Sequence, residues 1–181
     1  MAKPSTRTLT AMAVMTALTC FGALVRIPAY PVPVSLQSLF PLLAGSLFTP
    51  RAAAATQALY LLLGLVGLPL FSQGGGPAYL LQPTFGYLAA MPLTAALVSA
   101  GRARLRRPSF SMLLLLMGAA TLFLLVFGTC WLYFSLKWTA GNSLPLSAAL
   151  MAGLVPFLPV EALKAAAAAL IGDKLFARIK R

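Results

Sequence analysis

Two charged residues stand together inside an otherwise apolar stretch near the end of the chain. Glu161 and Lys164 occur in the run Pro156-Phe-Leu-Pro-Val-Glu-Ala-Leu-Lys, and a spacing of three places both side chains on one face of a helix. Near the centre of a bilayer an ionised side chain costs at least about 2.5–3.5 kcal/mol, so such groups face protein or a wet cavity. One side chain offers an acceptor and the other a donor. The pair is predicted to bind a polar group that has both kinds of atom; the alternative is an ion pair that only locks the helices together.

Three further polar side chains are candidates for the same site. Gln82 comes before a Pro-Thr pair at the predicted start of a helix, and its amide can both donate and accept hydrogen bonds. Tyr87 adds a hydroxyl shortly after, and Gln37 opens another predicted helix behind a proline-rich run. We expect all three to line one pocket with the charged pair. Helix capping, interface anchoring and ordinary packing are the alternatives.

The amino-acid composition indicates that these residues lie in a membrane. Of the 181 residues, 60% are hydrophobic and 9% are charged, whereas a soluble domain has about 25% charged residues. The chain is therefore predicted to be an all-α membrane protein. It forms one domain over residues 1–181, ending in a basic tail at 172–181. Six apolar segments predict a bundle of six transmembrane helices: Thr8 to Val25, Ser35 to Phe48, Ala52 to Leu65, Thr84 to Ala100, Met112 to Leu136, and Pro156 to Ile171 with a possible extension over Ser147 to Val155.

The basic residues predict the orientation of this bundle. The formal net charge is +12, and basic residues accumulate in cytoplasmic loops. With the N-terminus in the cytoplasm, only Arg26 and Lys137 fall on the outer side, which predicts that both termini are cytoplasmic. No nucleic-acid partner is expected, because the basic clusters adjoin the spans. The predicted cytoplasmic residues are Lys3, Arg7, Arg51, Arg102, Arg104, Arg106, Arg107, Lys174, Arg178, Lys180 and Arg181.

Two uncharged connections and one small-residue stripe are candidates for further roles. The connections over Pro28 to Gln37 and Leu68 to Pro77 could fold over an outward-facing pocket as a lid. A solvated loop would leave the rings of Phe71 and Tyr30 exposed to water. On the first helix, Ala13 and Ala17 form a pattern that allows close helix approach in lipid. The stripe either packs inside the bundle or docks a partner subunit.

Several classes of function have no support in the chain. It has no histidine, so metal sites and acid–base chemistry that depend on histidine are excluded. It carries neither a phosphate-binding GxxxxGK[ST] loop nor a Gly-x-Ser-x-Gly elbow. We therefore expect no enzyme, no cofactor and no bound metal.

The motifs taken together resemble one known family. The stretch Pro31-Val-Pro-Val-Ser-Leu-Gln-Ser-Leu is followed by Leu43-Ala-Gly, by Tyr60-Leu-Leu-Leu-Gly-Leu-Val-Gly-Leu-Pro-Leu-Phe, by Gly74-Gly-Gly-Pro and by Pro83-Thr-Phe-Gly-Tyr. In this order they resemble the BioY proteins, the biotin-specific membrane S components of energy-coupling factor (ECF) transporters. The late Pro156-Phe-x-Pro-x-Glu-x-x-Lys looks like the final motif of that family, which usually has Asp where this chain has Glu161.

The resemblance implies a function and a set of partners. It implies a six-helix S component that takes up biotin across the cytoplasmic membrane of a bacterium or archaeon, with a membrane coupling subunit and two cytoplasmic ATPases as partners. Biotin binding would fall to Glu161, Lys164 and Gln82, and docking of the coupling subunit to Ala13 and Ala17. Whether Lys164 would hold the ureido ring or the carboxylate of biotin is open at this point.

Two other functions are weighed beside this one. In an autonomous proton-coupled carrier of a small organic acid, Glu161 would be the proton site and Lys164 its partner. The inverted repeat common in such carriers is not evident in the sequence. A purely structural assembly subunit would bind no small ligand.

Overall fold

The computed structural model describes residues 5–28, 32–72, 74–105, 108–140 and 145–179. Tyr30 of the first proposed lid connection lies outside this range, as do Lys180 and Arg181 of the basic tail. The described residues form seven α-helices, two 3-10 turns and one two-stranded ribbon. The helices are α1 Thr6–Leu24, α2 Leu39–Leu47, α3 Pro50–Leu65, α4 Phe85–Ala103, α5 Phe110–Ala140, α6 Leu146–Gly153 and α7 Leu158–Ile179; the strands are β1 Arg26–Ile27 and β2 Val34–Ser35.

The length and composition of the helices identify a multi-pass membrane protein. Among the described residues, three stretches are long and apolar enough to cross a bilayer: Thr6–Leu24, Phe110–Trp138 and Leu146–Lys174. The helices α2 and α3 are shorter, with 9 and 16 residues, against the roughly 20 residues that a span needs. Each predicted apolar segment nonetheless contains a helix.

Helix α4 is the centre of the packing. It contacts α2, α3 and α5, while α7 packs against α5 and α2, and α1 packs against α3. The predicted topology places the C-terminal ends of α2 and α4 on the cytoplasmic side. Hydrogen bonds join these two ends. Ser99 donates to the carbonyl of Phe48 at 2.6 Å, and Arg102 donates to the carbonyl of Ser46 at 2.8 Å. These two α4 side chains satisfy carbonyls at the end of α2 that have no partner within their own helix.

The last predicted segment starts differently from the expectation. Its extension forms the separate helix α6, and Pro156 lies in the 3-10 turn Val155–Phe157 that precedes α7. A proline has no N–H and its ring clashes with the carbonyl four residues earlier, which kinks or breaks a helix, and here the helix is broken. Helix α7 therefore begins at Leu158, which puts Glu161 in its first turn.

The opposite end of the bundle carries the two connections that were predicted to form a lid, and we call it the hairpin end. The strands β1 and β2 pair antiparallel there, with Arg26 opposite Ser35, an element that the all-α prediction did not include. Arg26 donates hydrogen bonds to the carbonyls of Phe71 and Ser72. The ring of Phe71 is buried against Tyr60 and Tyr79. One cation thus joins the two connections to each other.

Candidate functional site

A cavity opens at the hairpin end between α2, α4, α5 and α7. It contains about 580 Å³ of space free of atoms, counted with its opening to solvent. Both lid connections contribute to its wall. Its lining residues are Val32, Pro33, Ser35, Gln37, Ser38, Ser72, Tyr79, Thr84, Tyr87, Leu88, Met91, Leu124, Leu125, Phe157 and Glu161.

The charged pair lies at one side of this cavity and is joined to a third residue. Lys164 and Glu161 form a buried ion pair, and each side chain is less than a tenth exposed. Ser38, the residue before α2, donates from its hydroxyl to Oε1 of Glu161 at 2.8 Å. It accepts from Nζ of Lys164, also at 2.8 Å. The three side chains form a closed ring, which we call the Ser38 triad.

Only one of the two carboxylate oxygens takes part in this ring. Oε1 of Glu161 accepts from both Ser38 and Lys164, while Oε2 is buried and has no partner among the described residues. A buried carboxylate oxygen without a donor is costly. Glu161 is among the lining residues of the cavity and Lys164 is not, so the carboxylate is the member of the ion pair that borders the cavity.

A chain of hydroxyl groups forms a second polar region of the wall. Ser72 and Tyr79 share a hydrogen bond of 2.9 Å between their hydroxyls, and Tyr79 and Thr84 share one of 3.1 Å. All three residues line the cavity. Hydroxyls can donate as well as accept, so this region suits a polar group with acceptor atoms. The surfaces between the two polar regions are mostly apolar side chains from α4 and α5.

Two glycines, which lack side chains, leave the space that Tyr87 fills beside the cavity. The Tyr87 hydroxyl donates to the carbonyl of Gly153 at 2.7 Å and shares a hydrogen bond of 3.2 Å with Thr129. A Cβ atom at Gly128 would overlap the Tyr87 ring, and one at Gly153 would lie 2.5 Å from its hydroxyl. Both contacts are closer than real Cβ atoms make. The hydroxyl is thus engaged with Gly153 and Thr129, in the wall of the cavity.

The two predicted glutamines occupy different positions. Gln37 is buried, lines the cavity and donates from Nε2 to Sδ of Met91 at 3.2 Å. Gln82 is half-buried and does not belong to the cavity lining. Its backbone carbonyl accepts from Nε1 of Trp131 at 3.1 Å. The structure therefore brings Gln37, Tyr87 and Glu161 together and leaves the Gln82 side chain outside.

The small stripe on α1 faces away from the bundle. Ala13 and Ala17 are exposed, whereas the buried face of α1 carries Thr16 and Thr19. The hydroxyl of Thr16 donates to the carbonyl of Thr56 at 3.1 Å on α3. Nε2 of the fully buried Gln57 donates to the Thr19 hydroxyl at 3.3 Å. Polar contacts of this kind hold one side of α1 against α3, so the stripe does not pack within the bundle.

Comparison with known proteins gives the family. The sequence pattern that defines the BioY family matches residues 1–181. The chain belongs to the BioY family. One relative, named a probable biotin transporter BioY, from Lysinibacillus sphaericus, is 34% identical over 180 residues, which cover 95% of this chain and 88% of the relative. Another of the same name, from Pyrococcus horikoshii, is 32% identical over 165 residues, covering 91% and 93%.

A solved structure agrees with the fold of this BioY chain. It is the crystal structure of an S-component for biotin from an ECF-type ABC transporter, and it matches with a TM-score of 0.82 and 28% sequence identity. The match covers 97% of this chain and 95% of the solved one. The family resemblance read from the motifs is therefore confirmed.

Sequence reasoning missed several polar residues of this BioY site, among them Ser38 and Ser72. Ser38 and Ser72 lie in the wall, and neither was a candidate, because a single serine near a turn is an ordinary capping residue. One local signal could have identified Ser38. It precedes Leu39-Phe-Pro41, so the third helical residue, whose N–H often bonds to the capping side chain, is a proline without an N–H.

Proposed function

We infer that this chain captures biotin and delivers it into the cell as the substrate-specific subunit of an ATP-driven ECF transporter. The observation that carries this inference is the cavity of the BioY fold, with a buried ion pair, a free carboxylate oxygen at one side and mostly apolar walls. Biotin combines a ureido ring, a thioether ring and an aliphatic carboxylate chain. Apolar walls with a few placed polar groups are what such a ligand requires.

The geometry of the triad favours one pose of the ligand. A ureido ring has two N–H donors, and Oε2 of Glu161 is a buried acceptor without a partner. A ligand carboxylate at the same place would meet like charge, and Lys164 already donates to both Ser38 and Glu161. We therefore place the ureido ring at the triad. The ligand carboxylate then points towards the hydroxyls of Ser72, Tyr79 and Thr84.

The assembly around the chain is part of the same proposal. We place the chain in the cytoplasmic membrane of a bacterium or archaeon, with six spans and both termini in the cytoplasm. The exposed stripe of Ala13 and Ala17 docks the membrane coupling subunit, and two cytoplasmic ATPases supply the energy. The proposal is supported by the small, apolar character of the stripe and by the biotin S-component whose fold this chain shares.

Calorimetry with purified protein in detergent tests the proposal. No ion gradient exists in that sample, so tight binding of biotin is expected for a capture subunit, whereas a proton-coupled carrier depends on the gradient for accumulation. Native mass spectrometry of the same sample should reveal co-purified biotin. Absence of biotin binding by protein freed of endogenous ligand would overturn the proposal, and a structural subunit would give that result.

A further inference from the structure

Ser38 is diverted from the local role that its position would normally have. It stands directly before α2, where a serine usually caps the helix by accepting from the second or third helical N–H. Here the third residue is Pro41, which has no N–H, and the N–H of Phe40 donates to the carbonyl of Gln37 at 3.2 Å. Its hydroxyl makes no capping bond and reaches instead to α7, across more than a hundred residues of sequence.

The hydrogen-bond directions within the triad follow from the chemistry of the three groups. An ammonium can only donate and a carboxylate can only accept. The Ser38 oxygen therefore accepts from Lys164 at 2.8 Å, and its proton points to Oε1 of Glu161 at 2.8 Å. One hydroxyl satisfies both requirements at once. This arrangement assigns Oε1 to the ring and leaves Oε2 without a partner.

We propose that Ser38 is a positioning residue for ligand binding, which acts by fixing the Glu161 carboxylate so that Oε2 stays available to an N–H donor of the ligand. Without the hydroxyl, the carboxylate is free to turn and to offer both oxygens to Lys164, whose charge attracts them. The ligand then competes with the lysine for Oε2. The proposal rests on the inferred biotin function and adds to it a residue outside the charged pair.

The central experiment is a double-mutant cycle on biotin affinity, measured by calorimetry in detergent. Ser38→Ala should weaken biotin binding by about tenfold, the usual scale for losing a charge-assisted hydrogen bond. Ser38→Thr keeps the hydroxyl and should retain affinity. Ser46→Ala is the control, because Ser46 is a buried serine of the neighbouring helix α2 whose hydroxyl donates to the carbonyl of Leu43 in its own helix.

The second arm of the cycle uses Glu161→Asp. This change withdraws the carboxylate by about 1.5 Å, the length of one carbon–carbon bond, and so takes it beyond hydrogen-bond reach of Ser38. If Ser38 acts through the carboxylate, Ser38→Ala should then change affinity by no more than about twofold, since the interaction is already absent. A merely structural role of Ser38 would give the same loss in both backgrounds.

The outcomes separate this proposal from the biotin function itself. Equal losses in both backgrounds, or unchanged affinity of Ser38→Ala, overturn the role of Ser38 while biotin binding by the parent protein stands. Failure of the parent protein to bind biotin overturns both proposals. Thermal unfolding of each ligand-free variant checks that the protein is folded, and Ser38→Thr provides the test should Ser38→Ala not fold: a tenfold loss there, with the hydroxyl kept, would contradict the proposal.

Discussion

At the scale of single residues, some polar side chains line the cavity, and others contact those side chains from outside the lining. Glu161 lines the cavity, and one of its oxygens has no hydrogen-bond partner among the described residues, whereas Lys164 is not part of the lining. A buried ion pair is weak support for stability, but loss of one partner leaves an uncompensated charge. We therefore expect both residues to affect ligand binding, Glu161 from the cavity lining and Lys164 through its ion pair with Glu161.

We predict that Glu161→Gln and Lys164→Ala each raise the Kd for biotin by at least about tenfold, because each leaves a buried partner unpaired. Calorimetry with folded variants measures this. Asp173→Asn and Lys174→Ala, at the far end of the same helix and outside the cavity lining, serve as matched controls and should bind normally. Unchanged affinity for both Glu161→Gln and Lys164→Ala would end the assignment of the site.

The two glutamines give a ranked prediction. Gln37→Ala should weaken biotin binding by about threefold to tenfold, the range that a neutral hydrogen bond and its burial provide. Gln82→Ala should have less effect than Gln37→Ala or Lys164→Ala, because its side chain lies outside the cavity lining. Titrations of both variants under identical conditions decide the order. A larger loss for Gln82→Ala would mean that its side chain turns into the site when biotin binds.

At the scale of elements, the two faces of helix α1 carry different kinds of side chain. Threonine hydroxyls on the buried face meet α3, while alanines occupy the exposed face. Helices approach one another closely in lipid where small residues meet. The exposed stripe does not pack within this bundle, and we propose that it is a surface for another protein.

Ala13→Trp and Ala17→Trp should leave biotin binding unchanged and abolish uptake by cells, because a bulky ring forces docked helices apart. Binding by purified protein and uptake by cells are measured side by side. Val14→Trp, which is exposed on α1 but outside the stripe, is the control. A parallel loss of binding and uptake would mean that the stripe packs internally, and normal uptake would place the docking surface elsewhere.

The glycines of α5 give a prediction about the space beside Gly128 that the Tyr87 ring fills, which we call the Tyr87 slot. Gly128→Ala should destabilise the protein by about 1–3 kcal/mol, as overpacking does, because its Cβ would overlap the Tyr87 ring. Gly118→Ala in the same helix meets open space and should stabilise by about 0.5–1 kcal/mol. Thermal unfolding in detergent measures both changes. Equal shifts for the two variants would show that the slot has room to relax.

At the scale of the whole molecule, the chain carries a binding cavity and no phosphate-binding loop motif in its sequence. Binding energy alone moves no net amount of ligand against a gradient, since a ligand shifts equilibria only by its differential affinity for two states. The proposed ATP-driven transport would therefore draw its energy from partner subunits.

Proteoliposomes that contain this chain alone should bind biotin without accumulating it, with or without a proton gradient. Addition of the coupling subunit and its ATPases, with ATP inside the compartment that they face, should start accumulation. The variant Ala17→Trp in the complete system provides a negative control. Accumulation by the chain alone under a proton gradient would favour the autonomous carrier instead.

The amino-acid sequence by itself determined the membrane character, the order of the apolar segments and the family. These follow from local hydrophobicity and from motifs that each lie within a few residues. It also determined that Glu161 and Lys164 share a helix face, because a helix repeats every 3.6 residues. The last segment was predicted to begin at Pro156, whereas α7 begins at Leu158. Pro156 belongs to a separate 3-10 turn between α6 and α7, and the sequence pattern did not indicate that turn.

Only the tertiary structure decided which polar groups meet. Ser38 reaches Glu161 from the start of α2, and the Ser72 hydroxyl joins Tyr79, which in turn joins Thr84. Equally, the fold left Gln82 and Lys164 out of the cavity lining. No periodicity encodes such contacts, because they depend on the rotation and depth at which separate helices pack. The spacing of Glu161 and Lys164 was local, but which carboxylate oxygen is engaged depends on a serine at the start of a distant helix.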